Sequence, residues 1–193
     1  MAEAKLWESL PDDRVQCQLC AHRCKIPAGG RGICQVRENR DGVLETLVYG
    51  RVIAQHVDPI EKKPLFHFYP GSRAYSIATA GCNFRCDWCQ NYDISQMPRD
   101  QRRILGQYVA PERIVAAAKS HGCRAIAYTY TEPTVFFEYA SDVARLAKDT
   151  GIANVFVTNG YMTAEALDLL QDHLDAANVD LKAFSDSTYR KYT

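Results

Sequence analysis

The chain has 193 residues, an apolar content of 47%, and 23 Lys plus Arg against 23 Asp plus Glu. That supports one sizeable core, excludes a disordered or fibrous chain, and leaves no net field favouring nucleic acid or an anionic membrane as partner. The opening MAEAKLWESLPDDR lacks the apolar stretch of a secretory signal and no apolar run approaches a bilayer span, so a cytoplasmic, non-membrane protein is expected.

Residues 1–72 read as a Cys-rich segment with short strands and a connecting loop. Within it, residues 14–42 hold Cys17, Cys20, Cys24 and Cys34 among glycines, a composition that buries little by itself. VLETLVYGRVIAQHV (residues 43–57) is rich in β-branched residues and predicts two short strands broken at Gly50. DPIEKKPLFHFYPGS, punctuated by three prolines, predicts an irregular connection. Its Glu61-Lys62-Lys63 reads as a solvated turn or an active-site lid.

From residue 73 strand and helix alternate. RAYSIATA predicts a strand running into the cysteine loop 81–92. A helix follows with Pro111 in its first turn, Ile114, Val115 and Ala118 inward, and Gly122 at its end. RAIAYTY predicts the second strand. The next helix starts near Pro133, carries Phe136, Ala140, Val143 and Ala147 at helical spacing, and stops at Gly151. IANVFVT predicts the third strand, ended by Asn159-Gly160. Thr163 is a candidate N-cap for a helix burying Ala166, Leu167 and Leu170, and ANVDLKAF predicts the fourth strand. This alternation predicts an α/β fold of parallel strands, with functional groups at their carboxyl ends. The chain stops shortly after the fourth strand, leaving a bare edge, which predicts a partial parallel barrel over residues 73–193, truncated after that strand.

Seven of the eight cysteines fall in two groups. In a cytosolic chain such groups point to metal or redox chemistry rather than disulfides. Cys82-x3-Cys86-x2-Cys89 offers three thiolates from one loop, suited to three corners of an iron–sulfur cubane, with one iron left open to bind a substrate. Gly81 permits the turn off the preceding strand, and loop amides can donate to sulfur. The competing reading is a zinc site or buried free thiols.

The CxxxCxxC spacing, with Trp88 before the last cysteine, resembles the radical S-adenosylmethionine (radical SAM) superfamily signature. The resemblance implies a 4Fe–4S cluster on Cys82, Cys86 and Cys89, S-adenosylmethionine chelated at the open iron, and Trp88 near the adenine. It implies an oxidoreductase that forms a 5′-deoxyadenosyl radical to abstract hydrogen from a substrate, fed by a one-electron donor such as flavodoxin or ferredoxin. YTEPT (residues 130–134) resembles the superfamily's GGEP segment, which makes Glu132 the seat of the methionine ammonium; alternatively it only caps the following helix. Thr158-Asn159-Gly160 and Asp180-Leu181-Lys182 resemble the activating enzymes of glycyl-radical enzymes. That implies Thr158 and Asp180 beside the cofactor carboxylate and Lys182, as a catalytic group, facing the active site. Val157 stands where those activators have aspartate. The order of motifs, from RVQCQLCAHRCKIPAGGRGICQVREN through SIATAGCNFRCDWCQNYDISQ, resembles the radical enzymes of the AmmeMemoRadiSam group over nearly the whole chain. A small molecule and a protein glycine both remain as substrate classes.

Cys17, Cys20, Cys24 and Cys34 supply four thiolates, enough for a zinc site or an auxiliary iron–sulfur cluster that would stabilise a loop-rich segment. His22 is an alternative ligand or a solvent-facing residue, and Cys123 reads as a buried small hydrophobe. His56, His67, His121 and His173 lack mutual ligand spacing. The alternative from another class is a non-catalytic iron–sulfur or zinc protein serving electron transfer or assembly.

Overall fold

The computed structural model describes all of residues 1–193. Six short strands come first: β1 (Ala2–Glu3), β2 (Trp7–Leu10), β3 (Arg14–Cys17), β4 (Lys25–Ile26), β5 (Arg37–Arg40) and β6 (Val43–Thr46). They pair antiparallel as two small sheets, β1-β6-β5 and β2-β3-β4. The segment expected to be mostly loop is therefore ordered by hairpins. Its strands are too short to show a convincing period of two in the sequence.

The larger unit continues with β7 (Arg51–Pro59), β8 (Arg73–Thr79), α1 (Tyr92–Ser95), α2 (Met97–Asp100), β9 (Gln107–Tyr108), α3 (Pro111–Ser120) and β10 (Ala125–Tyr128). A 3₁₀ turn (Pro133–Phe136) then leads into α4 (Phe137–Asp149), followed by β11 (Ala153–Thr158), α5 (Ala164–Leu170), β12 (Ala176–Val179) and α6 (Asp186–Tyr192). One six-stranded sheet has the order β12-β11-β10-β8-β7-β9. Strands β8, β10, β11 and β12 run parallel, and β7 joins β8 antiparallel along most of its length. The expected boundary at residues 72 and 73 thus falls inside one sheet.

Strands β8 and β10 are buried from end to end apart from Arg73, as strands covered on both faces must be. Helix α3 turns Ile114, Val115 and Ala118 inward, and α4 buries Phe137, Ala140, Val143, Ala144 and Ala147, the spacing of a single helical stripe. Thr163 caps α5 by accepting from the Ala166 amide, as expected. Ala166 and Leu170 are buried, but Leu167 is exposed. The fourth strand stops at Val179, so Asp180 and Lys182 sit on irregular chain beyond it, and α6 was not foreseen. One core joins Val15, Leu19 and Val36 of the amino-terminal segment to Ile126, Phe136 and Phe156 of the larger unit. No helix is long and apolar enough to cross a membrane.

Candidate active site

The carboxyl ends of β8, β10, β11 and β12 open on one side of the sheet, and the chain after each contributes to a cavity of about 590 Å³. That volume suits a nucleoside-sized ligand. Cys82, Cys86 and Cys89 line it together with Trp88, Glu132, Thr158, Asp180 and Lys182. Residues scattered over a hundred positions meet because parallel strands bring successive strand ends to the same rim.

The cysteine loop leaves β8 at Gly81, whose φ of 107° lies in the region that glycine tolerates. A Cβ there would stand 2.7 Å from Val36 Cγ1. Gly81→Ala is therefore expected to destabilise by about 1–3 kcal/mol, from strain and overpacking. Anaerobically loaded protein should carry less iron, which colorimetric iron and sulfide determinations will read. The Phe84 amide donates to Cys82 Sγ at 3.4 Å, and Cys89 Sγ lies 3.4 Å from Ser95 Oγ. Helix α6 packs on the same loop, its Thr193 and Tyr192 carbonyls accepting from the Arg85 and Asp87 amides at 2.7 and 3.0 Å. Burial pushes the Cys82 thiol up to about 12, with the Glu132 carboxylate adding to it. Burial also raises Cys86, while the nearby Lys182 ammonium works against it.

Glu132 is 2% exposed and lies at the end of the second parallel segment. Its Oε1 accepts from the Thr134 amide at 3.0 Å and from the Thr134 and Thr158 hydroxyls; Oε2 accepts from the Asn159 amide at 2.8 Å. It does cap the turn that precedes α4, and it faces the cavity as well. Burial raises its pKa against these donors. Oε2 holds a single protein donor, which leaves it able to accept from a cation. Beyond β12, Asp180 accepts from Asn178 Nδ2 at 2.7 Å and from Lys182 Nζ at 2.8 Å. Burial works to lower the Lys182 pKa, but the Asp180 carboxylate outweighs it and the net shift is upward. Trp88 is 49% exposed at the rim, its ring 6.3 Å from that of Tyr192.

Several members were not read from the sequence. Tyr130, in place of a glycine of the GGEP pattern, adopts φ 64°, so the backbone keeps a left-handed turn that glycine would take freely. Its hydroxyl donates to Asp58, and Asp58 also accepts from Lys63 Nζ at 2.8 Å and Lys62 Nζ at 2.9 Å. Lys63, expected on a solvated turn or an active-site lid, is 1% exposed and lines the cavity. Asn159 is more than a turn residue: its Nδ2 donates to Asn83 Oδ1 at 2.7 Å. His22, expected at the surface, is half-buried against Phe84 and Tyr161, with Nε2 2.8 Å from the Asn83 carbonyl. His56, His67 and His121 are exposed, and Cys123 is buried in the core.

Cys17, Cys20, Cys24 and Cys34 line a second, small void on the other side of Asn83. At neither place do three His, Cys, Asp or Glu side chains converge tightly enough to share one metal ion. Cys82, Cys86 and Cys89 nonetheless line one cavity, and the soft donor set suits iron and sulfide.

A parallel sheet with a three-cysteine loop after its first parallel strand, a buried glutamate after the next, and a roomy cavity between them define a radical SAM core. Residues 76–193 match the Radical SAM superfamily, and the chain belongs to it. Among curated proteins it is 47% identical over 186 residues to an uncharacterized protein of Methanocaldococcus jannaschii, covering 96% of this chain and 55% of that one. It is 28% identical over 114 residues to a protein of the same organism provisionally named a glycyl-radical enzyme activating enzyme, covering 59% of this chain and 41% of that one. It is 32% identical over 117 residues to the GTP 3′,8-cyclase of Heliobacterium modesticaldum, covering 60% and 35% respectively. The chain spans about half the length, or less, of these relatives.

Proposed function

We propose that the protein is a radical SAM enzyme in which Cys82, Cys86 and Cys89 hold a 4Fe–4S cluster and the adjoining cavity takes S-adenosylmethionine. The observation that carries this reading is the shared cavity: three thiols and one buried carboxylate face the same space across the ends of parallel strands. When bound and reduced, the cluster supplies the electron that splits the cofactor into methionine and a 5′-deoxyadenosyl radical.

The chain's own residues bind and orient. Glu132 accepts from the methionine ammonium through Oε2, a charge-assisted bond in a water-poor setting. The Thr158 hydroxyl holds that carboxylate in place through Oε1. Lys182, kept protonated by Asp180, offers a cation near Cys86, where it attracts the cofactor carboxylate or a substrate anion. Trp88 lies at the rim within reach of an adenine face. Val157 lines the cavity without a charge, so a cation site of the activating-enzyme kind is not proposed here. The electron comes from a small one-electron donor such as flavodoxin or ferredoxin. The substrate is a C–H compound, a small molecule or a protein glycine, in a cytoplasmic setting.

Anaerobic reconstitution with iron and sulfide, reduction with dithionite and addition of S-adenosylmethionine should yield 5′-deoxyadenosine by chromatography. Cys86→Ala should bring the yield to background. A cluster-loaded protein carrying all its parallel strands that gives no product would favour the non-catalytic iron–sulfur reading instead.

A further inference from the structure

The second void is built for something negatively charged. Cys17, Cys20, Cys24 and Cys34 surround a space of about 20 Å³, walled otherwise by apolar side chains such as Leu19, Ile26 and Val135. His22, Thr134, Arg37 and Asn83 line it as well, and the last two carry buried donors. Arg37 is 1% exposed, fixed by Glu138 and by the Lys5 carbonyl at 2.7 Å through Nη2. Its Nη1 stands 3.6 Å from Cys17 Sγ, and its Nε is buried with no partner. Asn83 is 2% exposed; its Oδ1 takes the Asn159 bond while its Nδ2 is buried with no partner.

Buried donors without acceptors are costly, and native folds rarely keep two around one void. Four neutral thiols, which are weak acceptors, do not answer them. Four thiolates around a zinc dication, or around a dicationic 4Fe–4S core, form a dianionic unit that does. Four thiols around one void make up the ligand set of either centre.

We propose that Cys17, Cys20, Cys24 and Cys34 bind a second, tetrathiolate metal centre whose charge is met by Arg37 and Asn83. The centre also communicates with the first site. Asn83 follows Cys82 directly, receives Asn159 Nδ2, and Asn159 in turn donates its amide to Glu132. Thr134 lines the second void while its hydroxyl donates to Glu132. An occupied second site therefore fixes two of the three residues that hold the Glu132 carboxylate, Asn159 through Asn83 and Thr134 directly. The proposal stands apart from the catalytic reading, because its readout is metal content and not turnover.

The test is metal analysis of anaerobically purified protein. The Cys86→Ala variant should retain roughly one zinc or roughly four irons per chain in the second site. Zinc without visible absorbance and iron with sulfide and a charge-transfer band near the blue distinguish the two sources, and either supports the proposal. Cys24→Ser/Cys34→Ser in the Cys86→Ala background should lose that metal. A folded Cys86→Ala protein holding no zinc or iron overturns the proposal, as does metal content that the two serines leave unchanged. The first of these outcomes needs no amino-terminal variant to fold.

Discussion

Asp58→Asn is expected to lower stability by about 3–5 kcal/mol, because it strands Lys63 as an uncompensated charge in the protein interior. The pair is 2.8 Å apart with side chains only 2% and 7% exposed. Burial works to raise the Asp58 pKa, but hydrogen bonds from Lys63, Tyr130 and Lys62 outweigh it and hold the carboxyl well below its usual range. The native pair's contribution is thus complete above the ordinary carboxylate pKa and is lost as pH falls through the lower native value. Burial lowers Lys63, with Asp58 opposing it. In Asp58→Asn the opposing carboxylate is gone, so the deficit should be largest between the native carboxylate value and that of the lysine, as at pH 6, and shrink as alkali neutralises the lysine. Urea unfolding at pH 6 and pH 9 will read both effects. The double variant Asp58→Asn/Lys63→Met should recover most of the loss. A single-variant deficit under about 1 kcal/mol, the range of an exposed pair, would show that the interior charge is not carried by this contact.

Glu132→Gln is the second large effect, and it falls on ligand binding. Removing the charge while keeping the shape should weaken S-adenosylmethionine binding to the cluster-loaded protein by about 10–100-fold, the worth of one charge-assisted bond. Folding should survive, because the raised pKa shows that burial already disfavours the ionised form. The sign with pH follows from the same shift. Protonation of Glu132 relieves the buried charge but removes the seat for the ammonium, so affinity should drop as pH falls through the raised value. Titration calorimetry under nitrogen at two pH values measures this, and equal affinities for wild type and Glu132→Gln would remove Glu132 from the site.

Much of the frame was legible because it rests on periodicity and punctuation. Pro111, Gly122 and Gly151 mark helix ends by backbone chemistry alone, and the Val-, Ile- and Tyr-rich runs of β8, β10 and β11 are long enough to read. Residues at the ends of these strands, Glu132 and Thr158 among them, could be expected on one rim once parallel order was expected. What escaped was contact between distant segments. Asp58 lies five residues before Lys63, but nothing local says that the Tyr130 ring will close over the pair, and a charged triplet reads as surface. Asn83 and Asn159 look like turn residues until their side chains are seen to meet. Leu167 fits a helical stripe but faces outward, since a stripe tells which residues align and not which of them a neighbour covers. The departure from a glycine pair at Tyr130 and Thr131 was visible as a substitution; its compensation, a hydroxyl anchored on Asp58, was not.

The seam between Leu19 and Thr163 has a consequence for biogenesis. The Thr163 hydroxyl donates to the Gln18 carbonyl at 2.8 Å, its amide to the Leu19 carbonyl at 3.2 Å, and Arg37 finds its carboxylate on Glu138. These partners lie more than a hundred residues downstream, so the opening segment has no surface to close against while the ribosome is still making β10. Its four thiols therefore stay unpacked until α4 and α5 emerge, and in the finished fold Cys17 alone among them is buried. Closure of the amino-terminal segment thus waits on residues 138 to 163 of the same chain.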